Sequence, residues 1–195
     1  MPQTINLNLK DADVSYLVNA FTAEECQRYL NLLFEETKWR HDDITLFGKT
    51  HKQPRLTALY ANNNNPYSYS GIIMNPLILT SSLIEIKNKV EQLSNHTYSS
   101  CLLNLYRDGN DSNGWHSDDE KELGINPVIA SVSFGEARWF HFKHKTQPDL
   151  KHKMLLENGS LLIMKGTTQH YWKHQIPKTK KKIGARINLT FRTIK

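Results

Sequence analysis

Residues 186–192, RINLTFR, alternate strictly between polar and apolar side chains. As a strand, the segment puts Ile187, Leu189 and Phe191 on one face and Arg186, Asn188, Thr190 and Arg192 on the other. The apolar face reads as core. The other face carries a guanidinium at each end of a polar stripe, so it either meets water or lines an anion site. Two earlier segments repeat at helical spacing instead. In FTAEECQRYLNLLFEETKW, Tyr29, Leu30, Leu33 and Phe34 recur along one face, and Thr22 with Glu25 forms the Thr-x-x-Glu capping-box pattern. In TSSLIEIKNKVEQLSN, Leu83, Ile86, Val90 and Leu93 share a face behind Ser/Thr cap candidates.

From about residue 98 the pattern changes to short β-type runs. YSSCLLNLYRDG, NPVIASVSFG, ARWFHFKHK, HKMLLENGSLLIMKG and GARINLTFRTI are separated by Gly, Pro, Asn and Asp turn signals. Helices followed by a series of strands predict an α+β protein whose second half is a β-sandwich or barrel. No repeat or long linker divides the 195 residues, so one domain is expected over 1–195, with a helical portion at 1–97 and a β-core at 98–195.

Composition adds little to this. Apolar residues make up 38% and charged residues 23%, ordinary for a globular chain, and the net charge of +6 favours an anionic partner such as nucleic acid. The one strong charge run, KTKKK at 178–182, reads equally as a phosphate clamp or a solvated loop. Cys26 and Cys101 sit in no metal or redox motif and read as reduced thiols. No apolar run approaches the ~18 residues of a transmembrane helix, and the N-terminal segment lacks the pattern of a secretory signal. These features predict an intracellular, cytoplasmic monomer (nuclear in a eukaryote).

Candidate chemistry starts at NLYRDGNDSNGWHSDDE. His116 and Asp118, at i and i+2 on an extended segment, point to one face and can share a metal. The spacing alone is weak, because His41 and Asp43 repeat it. Context favours His116, which follows a strand and a turn and precedes further histidines. Two histidines and one carboxylate with open positions opposite form the facial triad of non-haem iron(II) oxygenases. TTQHYWKHQIP offers His170 and His174 as the third ligand, and spacing does not choose between them. If YWKHQI is a strand, His174 shares a face with Trp172 and Ile176. An oxygenase with a dicarboxylate cosubstrate also needs a fixed cation, and Arg suits it because its planar fork holds a carboxylate bidentately. Arg186 and Arg192 lie roughly 20 Å apart along a strand at ~3.3 Å per residue, so they serve opposite ends of one site.

The segments NLYRDGNDSNGWHSDDE, IASVSFG, GSLLIMKG, HQIP and RINLTFR, in this order, resemble the AlkB family of iron(II)- and 2-oxoglutarate-dependent nucleic-acid dioxygenases. ITLFGKTHKQPR followed by YSYSG is similar to the homologues that repair double-stranded DNA. The resemblance implies a double-stranded β-helix (jelly roll) with N-terminal helices packed on one side, and iron held by His116, Asp118 and His174. It implies that Asn104, Tyr106, Arg186, Thr190 and Arg192 hold 2-oxoglutarate, with O2 as the other cosubstrate. It places Tyr67, Ser68 and Tyr69, from a nucleotide-recognition portion in 1–97, around the damaged base, with Asp119 and Glu120 of the β-core close to it. A ring-methylated base is cationic, and aromatic faces and carboxylates favour a cation. Phe47, with Gly48 and Lys49, would wedge into the duplex at a hairpin tip, and Lys52 and Arg55 would meet phosphates. The implied activity is oxidative demethylation of 1-methyladenine- and 3-methylcytosine-type lesions in DNA, duplex included, with release of formaldehyde. An RNA demethylase and a non-catalytic nucleic-acid-binding jelly roll are the alternatives.

Overall fold

The computed structural model describes residues 2–46, 49–62, 67–69 and 72–195. In chain order the strands are β1 (Gln3–Leu7), β2 (Asp13–Val18), β3 (Asp43–Leu46), β4 (Lys49–Lys52), β5 (Leu56–Ala61), β6 (Tyr67–Tyr69), β7 (Ile72–Met74) and β8 (Leu77–Ile78). The second half adds β9 (Ser100–Tyr106), β10 (Asn113–His116), β11 (Ile129–Gly135), β12 (Arg138–His144), β13 (Lys151–Leu156), β14 (Leu161–Lys165), β15 (Trp172–Ile176) and β16 (Arg186–Arg192). The helices are α1 (Ala23–Glu36), α2 (Ser81–Ser94) and the short α3 (Thr168–Tyr171). No described helix is long and apolar enough to cross a membrane.

Two sheets carry the fold. The larger runs β1-β2-β14-β11-β16-β9-β5-β8, the smaller β10-β15-β12-β13, and β3-β4 and β6-β7 form separate hairpins. All pairings are antiparallel except the short β5–β8 contact at the edge. The expected jelly-roll core is present, but the large sheet takes strands from both halves of the chain. The polar-rich β1, exposed along most of its length, lacks the apolar alternation that would have announced it.

Period-2 alternation sorts side chains into two cores. On one side of the large sheet, Leu103, Val132, Phe134, Ile187, Leu189 and Phe191 pack with Cys26, Tyr29 and Leu33 of α1 and Leu83, Ile86 and Val90 of α2. Between the sheets, Leu102, Tyr106, Ile129, Leu162 and Met164 meet Phe140, Phe142, Trp172 and Ile176. The α1 capping box forms as its sequence predicts: the Glu25 N–H donates to Thr22 Oγ1 at 3.2 Å and the Thr22 N–H to Glu25 Oε2 at 2.7 Å. Phe34, placed by spacing on the packed face of α1, is instead exposed. The strand supposed over YWKHQI starts one residue later, at Trp172, because Thr168–Tyr171 form α3.

Candidate metal and cosubstrate centre

β16 is buried at every position. Its apolar side faces the helices, so Arg186, Asn188, Thr190 and Arg192 point between the sheets and line one cavity. The register sets their neighbours: Arg186 lies opposite Tyr106, and Asn188 opposite Asn104, on β9. From the facing sheet come His116, Asp118 and His174.

His116 on β10 pairs directly with His174 on β15, their rings 4.3 Å apart. One ligand atom from each of His116, Asp118 and His174 lies within 4.8 Å of the other two, so the three could hold one ion. Exposed His170, the other candidate, sits on α3 outside this group. Each ligand is held by a further contact. His116 Nδ1 lies 2.8 Å from the Gly114 carbonyl, which requires the proton on Nδ1, so the lone pair sits on Nε2, 3.3 Å from Asn113 Nδ2 and on the atom a metal would take. Phe140 stacks on the His174 ring at 5.2 Å. The Asp118 N–H donates to Gln169 Oε1 at 2.9 Å. Arg192 Nη2 donates to Asp118 Oδ1 at 2.7 Å, while Oδ2 lies 3.9 Å from His174 Nε2, so one carboxylate oxygen is engaged by Arg192 and the other faces the imidazole.

The electrostatics suit metal ligation. Burial pushes the His174 imidazole down to about 3, with the neighbouring His116 ring adding to it, and burial also lowers His116. Burial alone would raise the Asp118 carboxyl, but Arg192 and the two histidines outweigh it and hold the group at about 2. The donor set is therefore neutral imidazole and ionised carboxylate at neutral pH, the forms a metal requires.

Arg186 gives the test for the cosubstrate. It is 1% exposed, and its Nη2 donates to Ser133 Oγ at 2.9 Å. Its Nε and Nη1 are buried without a hydrogen-bond partner among the described residues. Desolvation pushes the guanidinium down to about 10, so it stays charged at neutral pH. The guanidinium also lies 5.3 Å over the Tyr106 ring, and a buried cation with no carboxylate partner among the described residues, at the end of a cavity, fits a carboxylate ligand. Asn104 and Tyr106 line the same cavity. Thr190 also lines it, with its hydroxyl donating to Asn188 Oδ1 at 3.1 Å.

Asn188, placed by its alternation in the polar stripe, lines the cavity, and Ser131 and Ser133 are lining or supporting groups that the sequence reading missed. Their signal was present: in IASVSFG and RINLTFR the small polar residues alternate with buried apolar ones. Gln169 and Asn113 left no such pattern, because Gln169 reaches the site from the short α3 and Asn113 from the start of β10.

The nucleic-acid residues fare unevenly. Arg55, expected at phosphates, is 4% exposed; its Nε donates to Asn104 Oδ1 at 2.8 Å and its Nη1 to the Ser112 carbonyl at 3.3 Å. This burial sets Arg55 against Asn104, while the residue also borders the groove that contains His51, Lys52 and Trp115. Lys52 is exposed and pairs with Asp43 at 3.0 Å. Asp119 is exposed and pairs with Lys145 at 2.9 Å; neither it nor half-buried Glu120 lines the cavity. Phe47 and Gly48 lie outside the described residues, as do the side chains of Lys49, Tyr67, Ser68 and Tyr69.

Comparison with known proteins agrees with this geometry. Residues 13–192 match the 2OG-Fe(II) oxygenase superfamily. The chain is 40% identical over 180 residues to the human alpha-ketoglutarate-dependent dioxygenase alkB homolog 3, covering 88% of this chain and 62% of that protein. It is 34% identical over 203 residues to the human DNA oxidative demethylase ALKBH2, covering 99% of this chain and 77% of that one. The chain thus spans somewhat under two thirds of the alkB homolog 3 relatives. A solved structure described as that of OsALKBH1 superposes with a TM-score of 0.69 at 17% identity, over 98% of this chain and 100% of that chain, a likeness of fold. The family match, the relatives and the buried His116, Asp118 and His174 cluster agree: the chain belongs to the 2OG-Fe(II) oxygenase superfamily, among its AlkB homologues.

Proposed function

We propose that this chain is an iron(II)- and 2-oxoglutarate-dependent oxidative demethylase of N-alkylated bases in DNA, of the 1-methyladenine and 3-methylcytosine type, acting on duplexes as well as single strands. The observation that carries the reading is one cavity lined by both the metal-type cluster and the buried, incompletely hydrogen-bonded Arg186. The names of the relatives, which include a DNA oxidative demethylase, supply the substrate class. We place the enzyme inside the cell, working as a monomer.

His116, Asp118 and His174 hold iron(II). Arg186 takes the distal carboxylate of 2-oxoglutarate through Nε and Nη1, while Asn104 and Tyr106 hold the cosubstrate along its length. Arg192 keeps Asp118 ionised and aimed. When bound, iron with O2 and 2-oxoglutarate supplies the oxidation: one oxygen atom enters succinate as CO2 leaves, and the other hydroxylates the N-methyl carbon. The N-hydroxymethyl product then breaks its C–N bond to give formaldehyde and the unmodified base. The β6–β7 hairpin, with Tyr67, Ser68 and Tyr69, encloses the extruded base together with Asp119 and Glu120. Phe47, Gly48 and Lys49 fill the gap left in the stack, and Lys52 meets the backbone.

Incubation of methylated single- and double-stranded oligonucleotides with iron(II) and 2-oxoglutarate, followed by mass, tests the proposal. Loss of one methyl with stoichiometric formaldehyde and succinate is expected from DNA, and none from the His116→Ala variant. Turnover of RNA alone, unaffected by Phe47→Ala, would replace the DNA assignment. Absence of 2-oxoglutarate consumption would leave only a binding module.

A further inference from the structure

The smaller sheet has an outer face that the cavity chemistry does not use. Alternation fixes its outward residues: Trp139, His141 and Lys143 on β12, Lys151, Lys153 and Leu155 on β13, and Lys173 and Gln175 on β15. The register sets Trp139 beside Leu155, His141 between Lys153 and Gln175, and Lys143 between Lys151 and Lys173. These outward positions carry four lysines and no carboxylate. Lys143 places its ammonium 4.4 Å over the Trp115 ring, and the three lysines in one row border a groove of their own, where like charges directly opposite would be stabilised by an anionic partner. Trp139, 52% exposed, contributes an aromatic surface where a strand needs none for its own packing.

A groove of about 540 Å³ runs beside this face, lined by Trp139, His141, Leu155, Pro177, Lys178 and Lys181. Among the described residues lining it, Glu136 is the only carboxylate, and its Oε2 accepts from the Gly184 N–H at 3.2 Å. Lys178 also borders the neighbouring groove, which contains His116, Trp115 and Lys52. The two grooves therefore meet at Lys178, two residues beyond the end of the strand that carries His174.

We propose that this groove is an exit track for single-stranded nucleic acid: the strand leaves the site mouth, its backbone passes Lys178 and Lys181, and an unpaired base stacks on Trp139. The occupant follows from the chemistry. Lysines recognise phosphates without sequence preference, and an exposed indole offers a face that any unpaired base can use but a paired base cannot. The inference rests on the demethylase reading for the strand's origin, and its test separates the two.

Activity is compared on a methylated trinucleotide and on a longer methylated single strand, for the unaltered protein, Trp139→Ala, Trp139→Phe and the double variant Lys178→Glu/Lys181→Glu. Trp139→Ala is expected to lower kcat/KM about tenfold on the long strand, in line with alanine substitution at stacking platforms. Trp139→Phe should keep most of the activity, and the trinucleotide should be used equally well by both tryptophan variants. The lysine variant should bind the long strand more weakly, with a shallower salt dependence. Quenching of tryptophan fluorescence by an unmethylated single strand, lost in Trp139→Ala, reads the track without turnover. Quenching without demethylation would uphold the track and remove the demethylase reading. Demethylation with equal losses on both substrate lengths, or with quenching unchanged in Trp139→Ala, would overturn the track.

Discussion

At the scale of single residues, the site is governed by which buried charges have partners. Arg192 has one in Asp118, whereas Arg186 keeps two open donors. On the proposed reading, replacing Arg186 by Ala would remove charge-assisted bonds to the cosubstrate carboxylate, each about 1.5–3 kcal/mol. The 2-oxoglutarate concentration for half-maximal rate should therefore rise ~100-fold or more, measured by succinate formation. Arg186→Lys should recover only part of this, because an ammonium cannot grip bidentately. Arg55 offers a contrasting case. Since its Nε holds Asn104 Oδ1, Arg55→Lys should weaken use of 2-oxoglutarate several-fold. The salt dependence of oligonucleotide binding should stay unchanged; a reduced salt slope would return Arg55 to the phosphate role that its sequence neighbourhood suggested.

The elements that bring these residues together depend on local features far from the cavity. α1 starts on a complete capping box and packs Cys26, Tyr29 and Leu33 on the large sheet behind β11. Thr22→Ala should cost about 1 kcal/mol, a drop of roughly 2–4 °C in melting temperature, with kcat unchanged. Gly159, in the turn before β14, has φ +73°, and a Cβ there would lie 2.6 Å from Cys26 Sγ and 2.8 Å from the Phe21 carbonyl oxygen. Its own carbonyl accepts from the Phe21 N–H at 3.0 Å, so the turn cannot move off without breaking that bond. Gly159→Ala should therefore be more damaging than loss of the cap, by about 1–3 kcal/mol, as read by thermal or urea unfolding. A loss no larger than that of Thr22→Ala would mean that the turn relaxes freely.

For the molecule as a whole, the site lies between two sheets, and what binds there ties them together. Asp118 follows β10 of the smaller sheet, while its partner Arg192 ends β16 of the larger. A metal on His116, Asp118 and His174 binds only the folded arrangement. Manganese(II) at ~100 times its Kd should add about 2.7 kcal/mol of stability, seen as a rise in melting temperature. His174→Ala should abolish that rise. The thiols report on the same compactness: Cys101 is fully buried and Cys26 nearly so, and burial pushes both thiols up from their usual range. Neither should react with iodoacetamide until denaturant is added.

The sequence by itself determined the alternating strands, both long helices with their caps, and the His116–Asp118 pair. These depend on periodicity and on neighbours a few residues apart, which a linear reading captures. The resemblance then pointed to His174 as the third ligand and to Arg186 as a cosubstrate residue by order along the chain. Tertiary structure decided the rest, because the deciding contacts join residues far apart in sequence. Only the packing of β16 against the helices turned its polar stripe inward, only the β10–β15 register set His116 beside His174, and only burial turned Arg55 from the backbone toward Asn104. The outward row of lysines on the smaller sheet is another such case. Lys143, Lys151 and Lys173 are scattered along the chain and become one charged surface only when three strands lie side by side.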